Sequence, residues 1–161
     1  VDQDLSDRRF AGVTGRKEII YVQFLGGVRK EASIFECLTA LGEEGVLPYR
    51  SHVSLEGTEG ATFLFAPEQL SCADAFVGRV KERFGEAVTI RRDIGTVTLV
   101  GSGIAEDPDA HRRITAFLNE HRHLINQVFF APLSVTMLVA NSDVDHLVRD
   151  VHEIFLDRLP G

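Results

Sequence analysis

The fold is decided by the stretch Ala87–Gly103, which reads AVTIRRDIGTVTLVGSG. Its two ends, residues 87–91 and 96–100, are rich in β-branched side chains, which favour strands. The segment Arg92-Asp-Ile-Gly95 lies between them, and Asp and Gly tolerate the backbone angles of a tight reversal. The stretch is therefore predicted to form two strands joined by a turn.

The same pattern opens the chain. Phe10–Thr14 is a short strand candidate, Gly15-Arg-Lys17 interrupts it, and Glu18–Phe24 continues as an apolar strand. In each copy a loop, a helical pattern, two strands and a second helical pattern follow. The chain is therefore predicted to contain two units of the order strand, helix, strand, strand, helix, strand, joined at Ala87–Gly103.

Apolar spacing predicts which side chains the helices bury. The apolar positions of each helix recur three or four residues apart. In the first unit the predicted buried positions are Ile34, Phe35, Leu38 and Leu41 for one helix and Ala73, Phe76, Val77, Val80 and Phe84 for the other. In the second unit they are Ile114, Phe117 and Leu118, and then Val144, Leu147, Val148, Val151, Ile154 and Phe155. Pro48 within Val46–Leu55 predicts an edge or bulged strand there.

A strand count suggests how the two units are connected. The last helical pattern is followed only by Leu159-Pro-Gly161, so the second unit has no fourth strand of its own. The first unit has one strand too many, because Phe10–Thr14 precedes its first strand. We therefore expect residues 9–14 to cross over and to complete the second sheet.

Composition excludes several classes of function. The net charge of −7 disfavours nucleic acids and anionic membranes as partners, since both bind clustered Lys and Arg. No apolar run reaches transmembrane length. Cys37 and Cys72 both lie in helical patterns and are predicted to be buried free thiols, which suits a reducing, cytoplasmic compartment. The absence of an initiator Met fits either a piece of a longer protein or a processed one.

No catalytic signature is present. The sequence has no phosphate-binding loop, nucleophile elbow or paired Cys motif, so we expect neither a catalytic site nor a cofactor nor a metal. His111, His121 and His123 could form a metal site, but surface histidines explain them better because Cys ligands are absent. Gly60–Phe65 faintly resembles an RNA-binding strand, but no basic residue precedes Gly60 and the chain is acidic.

The doubled strand and helix order, with these sequence details, resembles the tandem ACT domains in the regulatory half of aspartate kinases. The resemblance covers nearly everything from Phe10 on and is clearest in VTLVGSGIAEDPDAHRRITAFLNEH, which starts at Val97. It carries the family's Val-Gly-x-Gly loop and its Pro-started helix. Val148–Phe155, VRDVHEIF, is similar to the family's closing helix.

The resemblance implies an α+β fold of two ferredoxin-like βαββαβ modules, interlocked through the N-terminal strand. It assigns residues 15–94 to the first module and residues 95–161, completed by strand 9–14, to the second. It also implies that the kinase catalytic domain lies outside this chain, so the segment alone is not an enzyme.

The effector positions of the family are altered. The family's His-Pro-Gly is Asp107-Pro108-Asp109 here, its Gly-Phe-Leu falls at Arg29-Lys-Glu31, and its Val-Asp pair becomes Pro48-Tyr49. Phe129–Pro132 replaces its Ser-Thr-Ser-Glu. These positions would hold the ammonium and carboxylate groups of an amino acid.

A candidate effector site nevertheless follows from geometry in the first module. Helix N-termini that follow glycine loops can hold a ligand carboxylate, although a plain connection is the simpler interpretation of these loops. The loop residues are Leu25, Gly26, Gly27 and Val28, and the acceptors for an ammonium are Ser51, His52 and Ser54. No Asp or Glu is obviously placed beside them.

Two functions compete on this basis. The first is a regulatory domain that binds a small amino acid, such as lysine or threonine, and forms a homodimer. The second is a structural dimerisation module that has lost effector binding. A metabolic enzyme comes third, because nothing supplies an acid, base or nucleophile in a defined arrangement.

Overall fold

The structure is a computed structural model, and it describes residues 10–24, 35–36, 38–40, 42–43, 45–54, 60–70, 72–104 and 106–156. It is an α+β fold with an antiparallel sheet. The strands are β1 (Gly12–Phe24), β2 (Arg50–Val53), β3 (Ala61–Phe65), β4 (Val88–Val100), β5 (Ile125–Ala131) and β6 (Ser134–Ala140). The α-helices with defined bounds are α1 (Ala73–Phe84), α2 (Pro108–Glu120) and α3 (Val144–Val151). Residues 35–36, 38–40 and 42–43 also have helical backbone.

The chain divides into two compact units. We call residues 18–92 the N-unit, and residues 93–161 together with the described residues up to Lys17 the C-unit. In the N-unit the hydrogen-bonded strands follow the order β2-β3-β1, and in the C-unit β4 pairs with β6 and β6 with β5; both β1 and β4 contribute residues to both units.

The core of the N-unit is built around β3. All five residues of β3 are buried, four of them apolar and the fifth Thr62, and the strand pairs antiparallel with β1 on one side and β2 on the other. Phe76 and Val77 of α1 pack on this sheet, and the ring centroids of Phe76 and Phe65 are 5.1 Å apart. The edge strand β2 has only four residues, in agreement with the edge strand predicted near Pro48.

Two expectations about the N-unit are wrong. Phe35 and Leu38, predicted to be buried, are 54% and 40% exposed, while Ile34 and Leu41 lie outside the described residues. Periodicity identifies an apolar helix face but not the surface that covers it, and the described core is instead filled by α1. Cys72, predicted to be a buried thiol, is exposed because it precedes α1 as its N-cap, and Cys37 is not among the described residues.

The C-unit packs α2 and α3 on β4, β5 and β6. In β4 and β6 every second residue enters the core, among them Val97, Leu99, Val135 and Met137. The helix α2 begins at Pro108, and the side chain of its N-cap, Asp107, accepts a hydrogen bond from the amide of Asp109 at 3.0 Å.

The predicted turn at residues 92–95 is wrong. Residues 88–100 form one continuous strand, β4. The corresponding segment near the start of the chain, Gly15–Lys17, likewise lies within the continuous strand β1. The glycines serve helix packing instead. A Cβ on Gly95 would contact Val144 of α3 and lie 2.5 Å from the carbonyl oxygen of Arg16, and one on Gly15 would lie 2.8 Å from Val144 Cγ1. Absence of side chains at both positions lets α3 approach the strands closely.

The first described residues belong to the C-unit. The amide of Ala11 donates a hydrogen bond to the carbonyl oxygen of Val100 at 2.7 Å. Phe10 is 6% exposed, and its ring packs edge-to-face on Phe155 with 4.8 Å between centroids. Arg113 of α2 lies over both rings, at 5.0 and 5.2 Å, so the segment is held by aromatic and cation–π contacts.

The end of α3 differs from the predicted regular helix. Residues His152–Leu156 form a π-helical turn, in which backbone hydrogen bonds span five residues instead of four and the helix is wider. Phe155 stays buried as predicted, but Ile154, predicted to face the core, is 37% exposed. The change in helical period moves Ile154 away from the apolar stripe.

Candidate functional site

The structure describes three of the seven residues of the predicted effector site. Leu25, Gly26, Gly27 and Val28 lie outside the described residues. Ser51 and His52 are exposed on β2, and Ser54 is half-buried just beyond its end. The amide of Ser54 donates to the carbonyl oxygen of Gly60 at 2.8 Å, so it is already used within the protein.

Ser51 and His52 lie on opposite faces of the sheet. Ser51 is paired with Phe63, which belongs to the helix-covered core, whereas His52 is paired with Thr62. Directly paired residues of antiparallel strands share a face, and neighbours along a strand do not. A ligand on one face of β2 therefore reaches only one of these two side chains.

The corresponding loop of the C-unit is occupied by its own hydrogen bonds. Gly101 donates to the carbonyl oxygen of Leu133 at 2.9 Å, and Asp107 donates to that of Gly103 at 3.0 Å. The carboxylates of Asp107 and Asp109 lie at the start of α2, where the helix dipole favours negative charge. A ligand carboxylate would meet these two acids, so this loop is a poor anion site.

Two of the six histidines share one carboxylate partner. His121 and His146 both contact Asp150, with Nε2 to Oδ2 distances of 3.4 and 3.3 Å, and the His121 ring stacks on Phe117 at 4.0 Å. His111 and His123 are exposed elsewhere. Within the described ranges, no group of three or more His, Cys, Asp or Glu side chains is arranged to hold a metal ion. None of the helices described is long and apolar enough to cross a membrane.

Each unit has a concave surface that the sequence did not indicate. In the N-unit, a cavity of about 190 Å³ is lined by Gly45, Val46, Gln69, Leu70, Cys72, Phe76 and Arg79. In the C-unit, a groove of about 320 Å³ lies between the end of α2 and the start of β5. Its polar residues stand out in the sequence only as a carboxamide pair, Asn126-Gln127, inside an otherwise apolar strand.

The fold is similar to that of several solved structures. The regulatory subunit of aspartate kinase from Thermus flavus matches with a TM-score of 0.68 and 17% identity, over 91% of this chain and 99% of that chain. Aspartate kinase from Clostridium acetobutylicum matches with a TM-score of 0.69 and 17% identity, over 91% of this chain and 34% of that chain. Aspartokinase III of Escherichia coli, in complex with lysine and aspartate, matches with a TM-score of 0.65 and 11% identity, over 92% of this chain and 34% of that chain.

Sequence comparison adds nothing to this likeness, since no protein-family model and no curated protein matches the chain. The chain spans nearly the full length of the regulatory subunit but only a third of the whole kinases. The resemblance predicted from the sequence is therefore confirmed at the level of the fold: the chain has the fold of the regulatory part of an aspartate kinase.

Proposed function

We propose that this chain is an allosteric regulatory domain that binds a small amino acid and acts on an aspartate-kinase catalytic domain in the full-length, cytoplasmic protein. One observation carries the proposal: the fold matches a regulatory subunit over 99% of that subunit's length. In this proposal the chain is a pair of ferredoxin-like ACT modules, residues 15–94 and residues 95–161 completed by strand 9–14.

Lysine and threonine are the effectors that we propose. A related kinase of the same fold was crystallised with lysine and aspartate bound, which supports an amino acid as the ligand class. The proposed site remains the loop Leu25–Val28, with Ser51, His52 and Ser54 as acceptors for the ammonium group. Because Ser51 and His52 face opposite sides of β2, we expect only one of them to contact the ligand.

Calorimetric titration with each of the twenty amino acids tests effector binding. We expect one or a few of them to bind, with lysine and threonine the first to examine. The double variant Gly26→Val, Gly27→Val should weaken binding at least about tenfold, because side chains on the loop prevent close approach of a ligand to the backbone amides.

The matched control is Gly12→Val, where an added Cβ meets no atom within 4 Å. It should bind as the native chain does. Equal binding by the native chain and the double variant would mean that the pocket lies elsewhere.

A structural dimerisation module without an effector is the second candidate. The paired carboxylates of Asp107 and Asp109 at the start of α2 favour it, because they oppose a ligand carboxylate in the C-unit. If calorimetry detects no heat of binding with any amino acid and the chain is a stable dimer, this candidate is supported over the first.

We also propose that the chain is a homodimer. Phe35 and Leu38 are large apolar side chains exposed on helical residues of the N-unit, and apolar surface of this kind is typical of an interface. Light scattering should therefore give twice the chain mass at micromolar concentration. The variants Phe35→Asp and Leu38→Asp should shift the mass toward the monomer.

Leu133→Asp serves as the control, since Leu133 is 59% exposed in the C-unit. It should leave the mass unchanged. A monomer at high micromolar concentration of the native chain would contradict the proposed dimer.

A further inference from the structure

The groove at the end of α2 combines one cation with several carboxamides. Leu118 and Asn119 come from α2, Arg122 follows it, and residues 125–128 come from β5. The lining residues are Leu118, Asn119, Arg122, Ile125, Asn126, Gln127 and Val128. None of them is acidic, although the chain as a whole has 24 Asp and Glu against 17 Lys and Arg. The groove is therefore locally positive on an acidic protein.

A β-bulge shapes this surface. Ile125 is paired with Val139 and Gln127 with Leu138, so Asn126 has no opposite residue and the register shifts there. Such a bulge on an edge strand redirects side chains. Here Asn126 and Gln127 both line the groove, although neighbours on a regular strand would face opposite sides.

The polar side chains of the groove are available to a ligand. In the part of the chain that the structure describes, no hydrogen bond or ion pair engages the side chains of Asn119, Arg122, Asn126 or Gln127. Asn119, Arg122 and Asn126 are exposed. A guanidinium group offers a planar pair of donors that matches a carboxylate, and carboxamide N–H groups can donate to the same oxygens.

The floor of the groove is apolar. Leu118, Ile125 and Val128 are partly buried and pack against the C-unit core. The volume of about 320 Å³ lies at the small end of the range for ligand pockets and suits a molecule of roughly six to ten heavy atoms. A ligand that satisfies both parts of the groove carries a carboxylate at one end and a short hydrocarbon at the other.

We propose that this groove is a binding site for a small organic carboxylate with an apolar body. Arg122 pairs with the carboxylate, the carboxamides of Asn119, Asn126 and Gln127 supply further hydrogen bonds, and the hydrocarbon lies on Leu118, Ile125 and Val128. The site lies wholly in the C-unit and is independent of the effector site proposed in the N-unit.

The probe for this site is 4-methylpentanoate, with 4-methylpentanamide as its uncharged match. Titration is followed by two-dimensional amide NMR, which also reports the side-chain NH₂ groups of Asn and Gln. The carboxylate should shift the signals of Asn119, Asn126 and Gln127 at millimolar concentration, and the amide should bind at least about tenfold more weakly. Acetate, which lacks the hydrocarbon, should also bind more weakly.

The variant Arg122→Gln should weaken binding of 4-methylpentanoate about tenfold or more, and Arg122→Lys should restore part of the affinity. The control is Arg149→Gln on α3, because Arg149 is exposed like Arg122 but lies outside the groove, and its replacement removes the same charge. This variant should bind 4-methylpentanoate as the native chain does.

Equal binding of 4-methylpentanoate and its amide, equal binding by Arg122→Gln, or shifts confined to other residues would overturn the proposal. Absence of any shift would do the same. The amino-acid site proposed in the N-unit is tested separately, because its binding is measured with amino acids and with the Gly26→Val, Gly27→Val variant. Either proposal can therefore fail without the other.

Discussion

Replacing Gly95 with valine is expected to lower the free energy of unfolding by about 3 kcal/mol or more. Gly95 lies in the middle of β4, where the helix α3 crosses the strand. A Cβ at this position would lie 2.5 Å from the backbone oxygen of Arg16 and would also contact Val144. The backbone oxygen cannot move without disturbing β1, so α3 or the strands must shift.

The loss of stability should increase with the size of the side chain that replaces Gly95. Gly95→Ala should cost about 2 kcal/mol, and Gly95→Val should cost more because its branched side chain extends further into α3. Urea unfolding followed by circular dichroism measures both values. Gly12→Ala on β1 is the control, since its added Cβ meets no atom within 4 Å and its stability should change little.

An unchanged stability of Gly95→Val would contradict the close packing of α3 on the strands. It would favour instead the turn that the sequence predicts at residues 92–95, because a turn leaves room for a side chain.

Replacing Phe10 with alanine is expected to lower the free energy of unfolding by about 3 kcal/mol. Phe10 is 6% exposed and fills space beside Phe155 and Phe117, whose rings lie 5.7 Å apart. Its removal leaves a cavity in the C-unit core and also removes the ring under Arg113. Both losses act on the same unit.

Amide hydrogen exchange locates the effect. Phe10→Ala, or deletion of residues 1–14, should reduce protection in β4 and α3 more than in β3, which belongs to the N-unit. Phe130→Ala is the matched control, because Phe130 is 60% exposed and its truncation should change stability by less than about 0.5 kcal/mol. Equal loss of protection in both units would refute the predicted crossover of the N-terminal strand.

Several elements could be read from local sequence alone. The residues Ala61–Phe65 are mostly apolar and indicate a strand, and β3 forms there, paired on both sides. Asp107-Pro108 marks the start of α2 because a short acceptor followed by proline suits the first turn of a helix. In both cases the deciding physics lies within a few residues, so no distant contact is needed.

The candidate site was accessible from sequence only in part. The exposed acceptors on β2 follow from the strand prediction, but Arg122 and the carboxamides of Asn119 and Asn126 are brought together by a helix end and a bulge. A bulge has no reliable sequence signal here, because it depends on the register with β6. The groove was therefore not predicted.

The sequence by itself determined the alternation of strands and helices along the chain and the buried faces of α1, α2 and α3, because these follow from local propensity and from periodicity. Only the tertiary structure decided that residues 92–95 continue a strand and that Phe35 and Leu38 are exposed. The physical reason is the same in each case. Glycine permits a turn or a close helix contact equally well, and an apolar helix face does not specify its partner, so contacts between distant segments choose between the alternatives.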